Sequence, residues 1–201
     1  MIKRIFSFLL ILLVFLGMWK GWQTAQTVAH VRSYQPLVEE ALRKENSTLD
    51  SDLVLAVIYT ETKGQGQDVM QASESLTGQV DSLATPQESI EHGVKTLNSY
   101  YLHGQELGVD EWTSVQAYNF GKAYIDYVAK NGQKTSLELA QTYSRDVVAP
   151  SLGNMSGETY AYWTPISIFH GHELYRNGGN YFYANQVRLN LDLIRFFERF
   201  G

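Results

Sequence analysis

The sequence contains no cysteine and only four prolines among its 201 residues, and basic residues are outnumbered by acidic ones, 16 to 21. Without cysteine the chain forms no disulfide scaffold, no thiolate nucleophile and no cysteine-ligated zinc or iron–sulfur site. Because nucleic-acid binding depends on clustered Lys and Arg, the acidic balance gives it no support. Stability has to come from packing, and the length suits one domain with a core of its own.

The first apolar run covers residues 5–19, contains no charged residue and is flanked by Lys3, Arg4 and Lys20. Positive charges before an apolar stretch stay on the cytoplasmic side, so this pattern predicts one N-terminal membrane helix with the rest of the chain outside the cell membrane. Because the first 29 residues hold three basic and no acidic side chains, the remainder holds 13 basic and 21 acidic ones, a formal charge of -8.

The length of this run leaves two locations open. Its 15 residues are fewer than the roughly 20 of a full span and also suit the core of a signal peptide. Trp19 and Trp22 are typical of an interfacial aromatic belt, which favours a retained anchor in residues 1–29 that contacts the cytoplasmic membrane through residues 5–22. Secretion after signal cleavage is the alternative, although residues 27–29 form a poor cleavage sequence.

Residues 34–201 are interpreted as one mainly α-helical domain. No segment alternates convincingly with a period of two over five or more residues, whereas apolar residues recur at helical spacing. Thr85-Pro86-Gln87-Glu88 combines a capping box with proline at the first helical position, and Thr135-Ser136-Leu137-Glu138 repeats the capping box. Helices are predicted to begin near Pro36, Asp50 or Ser51, Thr85, Asp110 and Thr135, and a closing helix carries Val187, Leu191, Ile194 and Phe197.

A carboxylate ends the apolar stripe of the second of these helices. Val54, Val57, Ile58 and Glu61 fall on one helical face, so Glu61 follows the residues that enter the core. Loss of water and the negative end of the helix dipole both raise the pKa of a carboxyl group in this place. A general acid in glycoside cleavage has to hold its proton in this way. The alternative is a terminal Glu61 turned outward beside Lys63.

Three segments that follow one another in order carry a resemblance to a known family. Glu61-Thr62 comes first, a loop segment with Met70-Gln71 and Ser73-Glu74-Ser75 comes second, and Ala117-Tyr118-Asn119-Phe120-Gly121 comes third, about fifty residues later. This set resembles the lysozyme-like muramidases and soluble lytic transglycosylases, most clearly over residues 36–130. It is most similar to the small membrane-anchored branch of Gram-positive bacteria. The resemblance implies a lysozyme-like helical domain of the goose-type lysozyme and lytic transglycosylase kind, whose partner is the glycan strands of peptidoglycan.

The resemblance also implies roles for single residues. Glu61 corresponds to the proton donor, and five residues correspond to substrate-binding positions: Met70, Gln71, Ser73, Tyr118 and Asn119. A packed methionine, a loop amide and a helix end that satisfies backbone groups are the structural alternatives. Tyr181, together with Tyr183 near a glycine-rich turn in the aromatic C-terminal third, is a further candidate for the far wall of a glycan cleft, because sugar rings stack on aromatic rings. Its alternative is core packing.

A second carboxylate, Asp68, decides between two reactions. In this superfamily transglycosylases use one glutamate and form an anhydro sugar, whereas muramidases add water and commonly use a second acid. Asp68 stands where transglycosylases usually carry glycine, and it is expected to stabilise an oxocarbenium-like charge or to activate water. The alternative is a loop aspartate that caps a turn. Glu74 is the reserve candidate.

The sequence therefore predicts an N-acetylmuramidase that cleaves the β-1,4 bond between N-acetylmuramic acid and N-acetylglucosamine. A lytic transglycosylase is the first alternative, and a non-catalytic wall-binding scaffold of the same fold is the second. No cofactor is implied. His170-Gly171-His172-Glu173 places its imidazoles two residues apart rather than the four of a zinc helix, so no metal site is predicted.

Overall fold

The computed structural model describes residues 2–73 and 83–200. The helices in these ranges are α1 (Ile2–Arg32), α2 (Gln35–Lys44), α3 (Ser51–Glu61), α4 (Pro86–Glu106), α5 (Glu111–Phe120), α6 (Ala123–Lys130), α7 (Leu137–Tyr143), α8 (Ala149–Ser151) and α9 (Tyr183–Phe200). A π-helical turn, Ser144–Val148, joins α7 to α8, and Ser167–Phe169 forms a 3-10 turn. The prediction of a mainly helical domain is confirmed.

A small antiparallel hairpin interrupts the helices in the C-terminal third. Strand β1 (Thr159–Ala161) pairs with β2 (Glu173–Tyr175), and Tyr160 lies opposite Leu174. Each strand has three residues, too few to produce the alternating pattern that would identify a strand from the sequence.

The helix starts follow the capping residues closely. The Asp50 carboxylate accepts a hydrogen bond from the amide of Asp52 at the start of α3, and the Thr85 hydroxyl accepts one from the amide of Glu88 at the start of α4. These two contacts satisfy amide groups that the first turn of a helix leaves without a partner.

The second predicted capping box begins one residue later than expected. Ser136, rather than Thr135, is the N-cap of α7 and accepts a hydrogen bond from the amide of Leu139. Thr135 is engaged elsewhere, because its amide donates to the Asp110 carboxylate and its hydroxyl pairs with that of Tyr124. Tertiary contacts therefore select the neighbouring serine.

Helix α3 lies at the centre of the domain. Its residues from Leu53 to Ile58 are all at most 2% exposed, and the helix packs against α9, α2 and α1. A helix that is apolar on every side in this way has to be surrounded by other elements. The central position of α3 carries Glu61, its last residue, to the edge of the core.

Helix α1 has two different halves. The described large apolar side chains from Phe6 to Trp22 are 41–71% exposed, whereas Val28 and Val31 are buried in the main core. The helix runs without a break through Arg32. Because Val28 is already buried in the core, the packed part of the chain begins near residue 28, six residues before the domain start predicted at residue 34.

Among the residues that the structure describes, no helix has the combination of length and mean hydropathy that crossing a membrane requires. The N-terminal membrane helix stays a prediction.

Candidate active site

Glu61 is partly buried, and its side chain turns toward α9 rather than outward beside Lys63. The Tyr183 hydroxyl, at the first residue of α9, donates a hydrogen bond of 2.5 Å to Glu61 Oε1. Burial raises the pKa of Glu61 to about 7; the Tyr183 hydrogen bond opposes this rise and the negative charge of Asp68 adds to it. Near neutral pH a substantial fraction of Glu61 therefore carries the proton that a general acid needs.

Two tyrosine rings connect Glu61 to the loop that follows α3. Tyr183 stacks on Tyr118 of α5 with ring centroids 6.4 Å apart, and the Tyr118 hydroxyl donates to the carbonyl oxygen of Met70 at 3.0 Å. Burial raises the pKa of both phenols well above its usual value, so both hydroxyl groups keep their protons and act as donors. The acid, two donors and the loop form one connected unit.

The turn after Glu61 is fixed from both sides. The Thr62 hydroxyl donates to the carbonyl of Val69 at 2.9 Å, which ties the helix end to the loop. The carbonyl of Gly64 accepts hydrogen bonds from His30 Nε2 at 2.8 Å and from the Tyr34 hydroxyl at 3.1 Å. Gly64 has φ +76°, and a Cβ there would lie 3.0 Å from the His30 ring. Glycine is needed at this position for its conformation and for the close approach of α1.

The Asp68 side chain is 3% exposed and holds the loop together. Its Oδ1 accepts hydrogen bonds from the Ala72 amide at 2.8 Å and the Ser89 hydroxyl at 2.6 Å, and its Oδ2 accepts one from the Ser73 amide at 3.0 Å. Burial by itself would raise the pKa of Asp68, but hydrogen bonds from Ser73, Ser89 and the two amides outweigh it and lower the pKa below its usual value. Asp68 is thus an anion, and it forms the turn-capping contacts that the sequence offered as the alternative.

The three substrate-binding candidates in this loop lie in different surroundings. Met70 is 0% exposed and its side chain packs into the space left by Gly93, where a Cβ would lie 2.6 Å from the sulfur. Ser73 is also buried. Gln71 alone is exposed, with φ +49° and its amide donating to the carbonyl of Asp68. Glu74, the reserve carboxylate, lies outside the described residues.

Asn119, the candidate beside Tyr118, is exposed and orders the entry to α9. Its Oδ1 accepts a hydrogen bond from the Asn180 amide at 2.7 Å. Gln116, one turn earlier on α5, donates to the carbonyl of Asn180 at 2.9 Å and accepts from the amide of Ala184 at 3.0 Å. These contacts fix the first turn of α9 and with it the Tyr183 hydroxyl that reaches Glu61.

Tyr181 lies apart from this arrangement. It is 2% exposed, belongs to a second buried cluster with Tyr124 and Phe182, and donates its hydroxyl to the carbonyl of Glu173 at 2.5 Å. The structure places it in core packing, the alternative given for it, rather than on an open wall. Tyr183, two residues later in the sequence, is the tyrosine that contacts Glu61.

Sequence reasoning missed how Glu61 is held. Tyr183 was predicted, with Tyr181, only as a candidate sugar-stacking residue and not as a partner of Glu61, and no role was predicted for Gln116 or Ser89. Tyr183 lies 122 residues from Glu61, so no local pattern connects them. Gln116 directly precedes the Ala-Tyr-Asn segment, but the burial that makes its amide require hydrogen-bonding partners is seen only in the structure.

Metal binding finds no geometric support in residues 2–73 and 83–200, where no group of three or more His, Asp and Glu side chains is placed to hold an ion. His172 of the His-Gly-His-Glu segment stacks instead on Trp163, with centroids 4.4 Å apart.

The fold and site together define a mainly helical domain in which an acid of raised pKa ends a buried central helix. The lysozyme-like family model matches residues 28–191, and the chain belongs to the lysozyme-like family. The match begins at the residue where α1 enters the core, which agrees with the packing of Val28 and Val31.

Several relatives extend this comparison. The chain is 50% identical over 201 residues to pneumococcal vaccine antigen A of Streptococcus pneumoniae serotype 4, covering 100% of this chain and 98% of that protein. It is 37% identical over 157 residues to the uncharacterized membrane protein YocA of Bacillus subtilis, covering 77% and 65%. It is 33% identical over 124 residues to the bifunctional muramidase/DL-endopeptidase CwlT of Bacillus subtilis, covering 62% and 37%.

A solved structure is similar over most of the chain. It is the crystal structure of a protein from Staphylococcus aureus described as similar to a lipoprotein of the NLP/P60 family. The two share 32% sequence identity and a TM-score of 0.73, and the similarity covers 81% of this chain and 52% of that one.

Proposed function

We propose that this protein cleaves the β-1,4 bond between N-acetylmuramic acid and N-acetylglucosamine in peptidoglycan, with Glu61 as the general acid. The observation that carries the proposal is the state of Glu61, which has a pKa of about 7 and receives the Tyr183 hydrogen bond at the end of a buried helix. The family and the similarity to a protein named as a muramidase support the choice of substrate.

In the proposed reaction Glu61 gives its proton to the glycosidic oxygen as the bond to the muramoyl C1 breaks. The leaving sugar departs as an alcohol, and positive charge develops on C1 and the ring oxygen. Glu61 becomes an anion in the same step. The Tyr183 hydrogen bond strengthens as that negative charge forms, because a charged acceptor binds a donor more tightly than a neutral one does. It therefore stabilises the transition state more than the ground state.

Water then adds to C1, and its proton returns to Glu61, which completes hydrolysis and leaves a reducing muramoyl end. We assign Asp68 the role of an ionised neighbour that stabilises the positive charge through space. Its hydrogen bonds come from the protein itself, from the amides of Ala72 and Ser73 and the side chains of Ser73 and Ser89. For this reason the through-space role fits the contacts better than activation of water, which needs a free carboxylate oxygen.

Transglycosylation is the second candidate, and the engagement of Asp68 is the observation that favours it. With both Asp68 oxygens occupied, an attacking muramoyl 6-hydroxyl under Glu61 alone would produce the 1,6-anhydro end. Mass spectrometry of digested peptidoglycan separates the two reactions, because water-terminated and anhydro products differ by one water. Anhydro products from the wild type would overturn the muramidase assignment and keep Glu61 as the acid.

Glu61→Gln tests the acid itself. The variant keeps the size and hydrogen-bonding shape of Glu61 and lacks only the acidic proton, so release of fragments should fall at least about 100-fold while glycan binding persists. Gln71→Ala, which removes the exposed loop amide, is the contrasting variant, because it should weaken glycan binding rather than abolish turnover. Full activity of a folded Glu61→Gln protein would refute the general-acid role. Binding without release by both wild type and variant would identify a wall-binding scaffold.

We also propose that residues 5–22 anchor the protein in the cytoplasmic membrane, with the domain outside the cell. The exposed apolar side chains from Phe6 to Trp22 support this location. Signal cleavage within residues 27–29 would cut helix α1 between core residues, which makes the secreted alternative less compatible with the packing of Val28 and Val31. Membrane fractionation and N-terminal sequencing decide the matter, since a released protein that starts near His30 would contradict the anchor.

A further inference from the structure

Two grooves meet on one face of the domain, next to the turn that follows Glu61. One groove, of about 430 Å³, lies between α1 and the end of α3 and includes Lys20 and Trp22. The other, of about 320 Å³, lies between α3, α9 and the segment after β1 and includes Leu189. Tyr59 and Lys63 line both grooves. The two grooves therefore form one continuous surface, called here the Lys63 face.

The Lys63 face is positively charged, whereas the protein as a whole has a negative net charge. Among the residues that the structure describes, Lys20 and Lys63 are the only charged ones that line the two grooves, and no described Asp or Glu does so, in a chain with a formal charge of -5. Within the described ranges neither lysine forms an ion pair. The remaining lining residues are amides, hydroxyls and apolar side chains. The face thus presents positive charge to a partner outside the domain.

The Lys63 face adjoins the exposed apolar half of α1. Trp19 and Trp22 lie with ring centroids 5.8 Å apart, and Lys20 stands between them in the sequence. Tryptophan and lysine at the boundary of an apolar helix are typical of a bilayer interface, where the indole rings lie among the headgroups and the ammonium group reaches phosphate. The partner that matches both the apolar helix and the adjoining positive charge is an anionic lipid surface.

We propose that the Lys63 face binds the phosphate headgroups of anionic phospholipids and holds the domain against the bilayer. The end of the helix that carries Glu61 then lies beside the membrane surface. This inference depends on the proposed anchoring through residues 5–22 and not on the chemistry assigned to Glu61.

The test uses the full chain in vesicles of phosphatidylcholine alone or mixed with phosphatidylglycerol, each containing a lipid with a nitroxide quencher on its headgroup. Because the chain has no cysteine, a single fluorescent label can be attached at Leu189→Cys, a half-exposed position on the Lys63 face. Ala123→Cys, exposed at the start of α6, carries the control label. We expect phosphatidylglycerol to increase quenching at residue 189 and not at residue 123, and salt to weaken the effect.

Charge variants then identify the residues involved. Lys63→Gln should reduce the docked population about fivefold, since one lysine near an anionic surface contributes on the order of that factor. Lys130→Gln, the same change at the exposed end of α6, should have no effect. Quenching that is independent of phosphatidylglycerol, equal at both labels or unchanged by Lys63→Gln would overturn the proposal. Displacement by inorganic phosphate that exceeds the effect of sodium chloride at the same ionic strength would also overturn it, because that result would indicate a site for free anions.

Two failures remain distinguishable. A full chain that does not float with vesicles of either composition would refute both the anchor and the lipid-binding face. Loss of the proposed acid chemistry, shown by an active Glu61→Gln variant, would leave the quenching result unaffected.

Discussion

Replacing Tyr183 by Phe removes one hydroxyl group and leaves the ring that stacks on Tyr118. In the wild type that hydroxyl donates to Glu61 at 2.5 Å and opposes the rise in the pKa of Glu61. A hydrogen bond to a charged group contributes about 1.5–3 kcal/mol, and one pKa unit corresponds to about 1.4 kcal/mol. Loss of the bond should therefore raise the pKa of Glu61 by about one to two units from its value of about 7.

The direction of the effect on activity follows from the role of the proton. A general acid is active while it is protonated, so kcat/KM should fall as pH rises through the pKa of Glu61 in the free enzyme. In Tyr183→Phe this descending limb should move about one to two pH units upward. The maximal rate should decrease, because the Glu61 anion formed during the reaction loses its hydrogen bond.

The measurement is the pH dependence of fragment release from purified peptidoglycan, with enzyme stability checked at each pH. Tyr181→Phe is the matched control, because its hydroxyl donates to the backbone of Glu173 instead, and its descending limb should coincide with that of the wild type. A Tyr183→Phe limb that stays in place or moves to lower pH would refute the assignment of Glu61 as an acid tuned by this phenol.

Three further predictions concern stability and the loop. Between pH 4.5 and about 7 the folded protein holds a proton on Glu61 that the unfolded chain has released, so the free energy of unfolding of the wild type should fall as pH rises through this window. Glu61→Gln should remove this fall. In denaturant unfolding at pH 8 the variant should be more stable than the wild type by up to about 3 kcal/mol. Asp68→Asn should move the descending limb to lower pH, because it removes a negative neighbour, and should lower stability by about 2 kcal/mol; an unchanged limb would contradict that coupling. The fragment 34–201 should melt at a lower temperature than the fragment 24–201, since it lacks Val28 and Val31 and their burial contributes about 2–4 kcal/mol; equal melting temperatures would show that α1 is dispensable.

The sequence predicted those parts of the fold that depend on local chemistry. The starts of α3 and α4 follow from Asp50 and from Thr85-Pro86, because each cap satisfies the amides of its own first turn. The α7 start was wrong by one residue, since Thr135 is held by Asp110 and Tyr124 from other helices. Contacts made across the chain leave no trace in the spacing of neighbouring residues.

The same distinction applies to the candidate site. The raised pKa of Glu61 could be expected from its place on the apolar stripe of one helix. Its partner could not, because Tyr183 reaches it only through the packing of α9 on α3. For Asp68 the residue type and position were informative, but the choice between a catalytic and a capping side chain depended on the amides and hydroxyl that surround it. Tyr181 and Tyr183 are two positions apart in the sequence but pack in different core clusters. Amino-acid composition alone does not show which of the two tyrosines lies beside Glu61.

The unbroken course of α1 limits how far the turn after Glu61 lies from the first half of the helix. From Trp22 to His30 the helix rises about 12 Å, at about 1.5 Å per residue, and His30 binds the carbonyl of Gly64 three residues after Glu61. With residues 5–22 in the bilayer, as proposed, the domain can tilt toward or away from the bilayer about α1, but the unbroken helix provides no flexible linker that would let it move outward. Under the proposed function and anchor, the domain would reach glycan strands next to the membrane, and strands farther out would come into contact only when they approach the membrane themselves.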